Sequence, residues 1–323
     1  MSAEERRAPG RSRPSRVARW ALLAGGTACG LGLVAGCFGS AWWVLDLAAH
    51  FRVQQVAGLA LVALGLVALG ARRRGLAFGL LALIGGFGPA RYSLGAEQAS
   101  PASPRLRVAS LNVLSGNRDV AEIQGFVRES DADVLLLIEA SRKLLDALEP
   151  QLRAYPQRLE APRDDPFGLA LYARLPMRAR RHDLGTSGMP SIEAELEFGG
   201  ARVLLEAVHP PPPISSAMAL ERDRVIGDAV ERLCLADEPG ILLGDLNTTP
   251  WAESLARLAF PRGLRDARRG HGVLPSWPAD AFLLRIPIDH CLVRGPLRSL
   301  GARLGGSCGS DHLGLVVDLA LER

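Results

Sequence analysis

Residues 20–45 run for 26 positions without a charge, and residues 53–71 and 75–90 add charge-free runs of 19 and 16. Asp46 closes the first run. About 20 apolar residues cross a bilayer, and 16 lies just under the usual range. The glycine content of these runs suits membrane helices and is poor for soluble ones. A cleaved signal peptide fits less well, because the first run is too long and two more follow. The expectation is a basic tail over residues 1–19 and about three transmembrane helices over residues 20–92.

Arginine placement sets the orientation. The Arg-rich tail and Arg72, Arg73 and Arg74 belong on the cytoplasmic side. Arg52 is the only basic residue of the first connection. Three spans then place everything after about residue 92 outside the cytoplasm, in a multi-pass protein of the cell membrane. If the short third run is re-entrant, the rest stays inside. Residues 93–104 (with GAEQASPASP at 95–104) are small, polar and Pro-containing, the composition of a short flexible tether.

The net charge is +4 overall, yet residues 1–19 and 20–100 already contribute +4 and +3. Residues 101–323 are therefore near −3 and lack the basic excess of many nucleic-acid binders. A nuclease is not excluded, since a bound cation supplies positive charge locally. The five cysteines have no metal-binding spacing. A Cys291–Cys308 disulfide is conceivable if both border one site, although unpaired thiols are the plainer reading.

From residue 105 the pattern changes to short strands alternating with helices. Strands are expected over 106–111, 134–138, 168–172, 192–198, 202–208, 241–243, 287–293 and 313–319. Helices are expected over 120–130, 141–152 and 216–235. Polar residues sit where apolar strands end: Asn112, Glu139, His209, Asp245 and Asn247. A rigid scaffold aims strand ends at a common cleft. Asp245 and Asn247 sit two apart in GDLNTTPW, so an extended backbone turns both to one side. Asp311 and His312 add a carboxylate and an imidazole near the end. Together they suggest one composite site for metal-assisted phosphoester hydrolysis.

The set SLNV, LLIEAS, AVHPPPP, GDLNTTPW, SWP, IDHCLV and GSDHLG resembles the endonuclease/exonuclease/phosphatase superfamily, closest to its membrane-tethered bacterial subset. The resemblance covers essentially all of residues 105–323. It implies a four-layer α/β sandwich, two mixed β-sheets flanked by helices, which hydrolyses phosphodiesters or phosphomonoesters with a divalent cation. Mg2+ is the usual ion and Mn2+ is also accommodated.

The resemblance also implies roles. Glu139 and Asn112 match the metal centre, and Asp311 lies at the same centre or orients its water. Asp245 holds or activates the attacking water, and Asn247 donates to a phosphate oxygen. His312 contacts the scissile phosphate or relays a proton, with Asp289 as its partner. His209 matches a histidine on the leaving-group side. Trp251 and Trp277 could pack the cleft wall or stack on a substrate ring. Arg222 could meet a phosphate or lie on a solvated helix face. His290 should face away from Asp289 in a core role, and His50, His182 and His271 carry no assigned role. The chain departs from the family at Ile138, where glutamine often precedes the metal glutamate.

The expected activity is a membrane-anchored, divalent-metal-dependent phosphoester hydrolase, a phosphodiesterase or nuclease. Phospholipid head groups are the alternative substrate. A non-catalytic binding module on the same fold is the rival from another class, and it predicts gaps in the catalytic set.

Overall fold

The computed structural model describes residues 13–322, so residues 1–12 of the basic tail lie outside the described residues. Four helices come first: α1 (Arg13–Ala35), α2 (Trp43–His50), α3 (Arg52–Ala68) and α4 (Arg72–Ala90). Helices α1, α3 and α4 pack side by side with alternating direction. Gly26 lies against Val62 and Gly65 against Leu22, while Gly75 lies against Val67 and Gly85 against Val56. Small residues at these crossings let the backbones approach closely. The outward faces are apolar, with Leu31, Leu61, Leu64, Leu76, Leu83 and Phe87 exposed.

Among the described residues one helix, Arg16–Phe38, is by itself long and apolar enough to cross a membrane. Trp43–His50 and Arg52–Ala68 pass the same test only as one segment bent by 62°. Where about three transmembrane helices are expected over residues 20–92, one helix passes the test alone, and the first charge-free run, residues 20–45, is divided between α1 and α2. The α-helix proper ends at Ala35, a 3-10 turn over Gly36–Phe38 follows, and α2 turns onto the rest of the chain. The reason is Asp46, whose carboxylate meets Arg222 at 3.0 Å and Ser254 Oγ at 2.9 Å. A buried carboxylate needs such partners.

The remaining chain forms two six-stranded sheets packed face to face. The first holds β1 (Arg105–Asn112), β2 (Val134–Ile138), β3 (Gln157–Ala161), β4 (Leu169–Ala173), β11 (Leu297–Leu304) and β12 (Leu315–Leu321), in the order β11-β12-β1-β2-β4-β3. The second holds β5 (Met177–Leu184), β6 (Met189–Phe198), β7 (Ala201–Val208), β8 (Gly240–Asp245), β9 (Arg265–Asp266) and β10 (Asp289–Arg294), in the order β5-β6-β7-β8-β10-β9. Leu136, Ile138, Leu171, Leu205, Ile241 and Cys291 are among the side chains buried between the sheets.

Helices α5 (Val120–Ser130) and α6 (Arg142–Leu152) cover the first sheet. Helices α7 (Ser216–Leu235) and α8 (Glu253–Leu258) cover the second. This is the expected four-layer sandwich. Ser141 caps α6 by accepting from Leu144 N, and Ser215 caps α7 by accepting from Met218 N. Each such cap satisfies an otherwise orphaned N–H.

Strands β3, β5, β9 and β11 were not expected from the sequence. In β5, MRARRHDL, the charged side chains Arg178, Arg180, Arg181 and Asp183 are exposed, and charged residues protect a sheet edge. All five cysteines are free. Cys291 packs between the sheets and Cys308 packs against the α5/α6 side, so no disulfide joins them. The tether reading of residues 93–104 also changes. Glu97 accepts from Ser299 N at 2.8 Å and pairs with Arg265 at 3.3 Å, pinning the segment to the sandwich.

Candidate active site

The two sheets repeat one pattern. In the first, β1 and β2 are parallel neighbours flanked by antiparallel β12 and β4. In the second, β7 and β8 are parallel, flanked by antiparallel β6 and β10. Asn112 and Glu139 stand at the C-terminal ends of the first parallel pair, and His209 and Asp245 at those of the second. Each sheet thus supplies two polar groups to one cleft, and contacts cross between them. Asn112 Nδ2 donates to Glu139 Oε1 at 3.0 Å and to Asp245 Oδ2 at 3.3 Å.

Gly244 has to be glycine. Its φ is +150°, and a Cβ there would fall 1.9 Å from the Val208 carbonyl oxygen of β7. That close approach turns the end of β8 so that Asp245 enters the cleft. Asn247 follows with φ 50° and Glu139 has φ 61°. Asparagine tolerates the left-handed region better than glutamate does. Glu139 is held there because Ser115 N and Oγ donate to its Oε2 at 2.9 and 2.8 Å. Strained residues held by their surroundings cluster at functional sites.

His312 is buried between two carboxylates. Its Nδ1 bonds Asp289 Oδ2 at 2.9 Å, and its Nε2 lies 3.5 Å from Asp245 Oδ2. Burial alone would lower its pKa, but Asp289 and Asp245 outweigh burial and push it up to about 10. Burial likewise opposes the charge on Asp245, and the facing imidazoles of His312 and His209 bring it down to about 2. His209 Nδ1 bonds the Pro166 carbonyl at 3.0 Å, which leaves Nε2 facing Asp245 at 3.6 Å. Asn247 Nδ2 sits 3.5 Å from the same Nε2 and donates to Pro210 O at 3.0 Å. Asp311 is half-buried and accepts from Trp277 Nε1 at 2.9 Å. The Trp277 ring lies 6.5 Å from that of His312.

The structure therefore brings Asn112, Glu139, His209, Asp245, Asn247, Asp289, Asp311, His312 and Trp277 into one cleft. It does not bring Arg222 there as a free cation. Arg222 is 2% exposed, and Asp46 at 3.0 Å and Asp223 at 2.8 Å occupy its guanidinium. It is neither on a solvated face nor open to a phosphate, because α2 covers it. Trp251 packs edge-on against Tyr92 at 6.0 Å. Ile138 points between the sheets.

Two serines with supporting roles were missed. Ser310 Oγ donates to Asn112 O at 2.7 Å and accepts from His312 N, tying the SDH turn to β1. Ser115 holds Glu139 as above. Both lie within or beside the quoted motifs, but nothing in a serine's identity separates this work from an ordinary turn.

The residues fit a hard divalent cation. Glu139, Asp245, Asp289 and Asp311 outnumber the charge that His312 supplies. Asp289 Oδ1 is buried without a partner. Ligand atoms of Asp245, Asp289 and His312 all lie within 4.8 Å of one another. Carboxylate and amide oxygens suit magnesium. The amide nitrogen of Asn112, rather than its oxygen, faces the carboxylates, and its Oδ1 accepts from Leu114 N at 3.1 Å. A second group, His182, Glu193 and Glu206, is already closed by Arg180 and Arg232.

Behind the site, His290 fills the expected core role. Its Nε2 bonds Thr248 O at 2.8 Å, and its Nδ1 faces Arg268 Nη2 at 2.9 Å. Arg268 also pairs with Asp266 at 2.7 Å. Burial, then Arg268, lowers the His290 pKa from its ordinary 6.5. Burial opposes the Asp266 charge, but Arg268 and His290 hold its carboxyl far below the usual range. In the unfolded chain both groups take up protons at higher pH than in the fold, so acid favours unfolding. Melting temperature should fall as pH drops below about 6.5 through His290, and further below about 4 through Asp266. In His290→Gln the first fall should shrink while the second remains. An unchanged slope between pH 5 and 6.5 would contradict this assignment.

A family model described as the endonuclease/exonuclease/phosphatase family matches residues 109–312. The chain belongs to this family. It is accordingly a metal-dependent phosphoric ester hydrolase. Among solved structures it resembles humanized D. rerio TDP2 carrying 14 mutations, at 18% identity and a TM-score of 0.56, covering 67% of this chain and 98% of that one. It also resembles the endonuclease/exonuclease/phosphatase from Beutenbergia cavernae DSM 12333, at 18% identity and a TM-score of 0.56, covering 68% and 72%. D. rerio TDP2 complexed with single strand DNA product matches at 19% identity and a TM-score of 0.55, covering 67% and 98%. These likenesses concern the fold. No curated protein matches the chain in sequence.

Proposed function

We propose that the chain is a membrane-anchored, magnesium-dependent phosphodiesterase whose sandwich, residues 105–323, acts outside the cytoplasm. The observation that carries the chemistry is His312 between Asp289 and Asp245, with both ring nitrogens facing carboxylate oxygens. Asp289 fixes the ring so that Nε2–H points into the cleft, where it donates to a phosphate oxygen. Asp245 accepts the proton of an attacking water, and Asn247 donates its amide to a second phosphate oxygen. His209 Nε2 faces the leaving-group side. Glu139 and Asp311 supply oxygens for the cation, and Asn112 aligns Glu139 with Asp245. Bound there, the cation would polarise the phosphoryl group and offset its charge. A binding module that had lost catalysis would show gaps at these positions, and none is gapped.

Anchoring is supported by the helices. At 1.5 Å per residue α1 is about 35 Å long and α4 about 28 Å, against a hydrocarbon core of about 30 Å. Their outward faces are apolar. Arg16, Arg19 and Arg72–Arg74 lie at the end remote from the sandwich, as expected of a cytoplasmic end. Phe38, Trp42 and Phe51 are exposed at the near end, where aromatic side chains favour the interface.

The test uses the full chain in detergent with bis(p-nitrophenyl) phosphate and magnesium or manganese. Turnover should require the metal, and the metal should raise the melting temperature through linkage, adding about 2.7 kcal/mol of stability at a hundredfold excess over Kd. In Glu139→Ala that increment should largely vanish. A folded wild-type chain with neither turnover nor metal stabilisation would sink the proposal.

A further inference from the structure

The segment from Trp277 to Ile286 is a looped excursion closed by a bridge between those two residues. Its base belongs to the active site: Trp277 Nε1 donates to Asp311, and Ala279 N donates to Asp311 O at 2.7 Å. Its tip is the turn Phe282–Leu284, with side chains 73%, 79% and 56% exposed. Three consecutive large apolar side chains in water are costly and mark an interaction surface. The same excursion touches the helical region, since Gln54 Nε2 donates to Arg285 O at 2.8 Å, from the first turn of α3.

A second segment leaving the site also carries exposed apolar side chains. His209 is followed by the proline run and by Ile214, 72% exposed, just before α7. Leu220, on the second turn of α7, is also exposed and borders a cleft shared with Trp42 and Trp43. The Phe282–Leu284 excursion, through Gln54, and α7, through Leu220, thus each meet the end of the helix bundle that carries exposed Phe38, Trp42 and Phe51. Exposed apolar side chains thus occur both on that end of the helices and on the segments that follow His209 and Trp277.

We infer that the Phe282–Leu284 turn enters the bilayer that holds this chain's own helices, and that the site hydrolyses a phosphoester of a lipid head group in that leaflet. The occupant is a lipid surface because the turn is tied at Arg285 to the first turn of α3, which begins beside exposed Phe51. A nucleic acid would instead be expected to meet cations, and Arg285, next to the turn, is turned back onto Ala279 O with its guanidinium over the Phe282 ring. This rests on the membrane anchoring and hydrolase activity proposed above.

The experiment reconstitutes the full chain in vesicles of equal parts phosphatidylethanolamine and phosphatidylglycerol. The variant replaces Phe282, Leu283 and Leu284 with serine. Hydrolysis of soluble bis(p-nitrophenyl) phosphate should be unchanged, because the turn touches no catalytic group. Turnover of vesicle lipid should fall about tenfold or more, since interfacial binding scales with inserted apolar area. Equal lipid turnover by both proteins would overturn the inference, as would cleavage of single-stranded DNA with no lipid turnover. A separate readout needs no activity: Leu283→Trp in vesicles with brominated acyl chains should add a quenched component absent from the parent. No added quenching overturns the membrane contact even if hydrolysis is normal. Quenching without turnover of any phosphoester would fault the hydrolase reading and the lipid substrate, leaving the contact in place.

Discussion

Replacing His312 with alanine is expected to lower kcat on a phosphodiester by about 10³-fold, with KM changed far less. The imidazolium is held by two carboxylates in a buried setting, where a preorganised cation acts on charge that develops during reaction. Asp289→Asn isolates the positioning. The ring keeps its place, but the carboxylate that most raises its pKa is gone. The rate should fall on the order of 10²- to 10³-fold, since a wrongly held tautomer costs at least that in comparable pairs. The alkaline limb of the rate profile should also move from near 10 toward neutrality. A merely structural role would lower the rate and leave the limb in place, and that outcome would remove Asp289 from the mechanism.

Asp46→Ala should be the most destabilising single change in the helical region. It strips a partner from a guanidinium that is 2% exposed, and breaking a buried pair from one side costs about 3–5 kcal/mol. The low end is expected because Asp223 remains 2.8 Å from the same guanidinium. For a domain of this size that corresponds to a drop of roughly 10 °C in melting temperature. Arg222 Nη1 also reaches Asn247 O at 3.4 Å, so turnover should fall along with stability. Asp46→Leu combined with Arg222→Met removes both charges and should recover most of the stability, because well-packed apolar replacements of buried pairs are often neutral. A double variant no better than the single one would show that the charges themselves are required.

Much of the sandwich could be read from the chain because its inner strands are written twice over. VLLLI in β2 is buried on both faces, and the residue after it must leave the core. That is why Asn112, Glu139, His209 and Asp245 stood out as strand-end residues. The alternation of Asp289 and His290 was readable for the same reason, one side chain facing the cleft and the next facing Arg268. Edge strand β5 was missed because its apolar positions are few and its charges face solvent. Arg222 was misplaced because nothing local to α7 reveals that Asp46, 176 positions earlier, lies on top of it. The break after Ala35 was hidden for the related reason that Asp46 looks like the end of a span until its partner is known. Long-range pairing of charges leaves no periodic trace.

Because each sheet supplies half of the catalytic groups, neither sheet owns the site. The jaws are Asn112 with Glu139 on one side and His209 with Asp245 on the other, and the apolar layer between the sheets acts as the spacer of a caliper. Its thickness, fixed by side chains such as Leu136, Leu205 and Cys291, sets the gap that a phosphoryl group and its cation must fill. A close-packed layer of this kind resists compression and transmits any change of volume. Tuning of the gap is thus available to residues that never meet the substrate, at the cost of tying catalytic precision to the quality of the core.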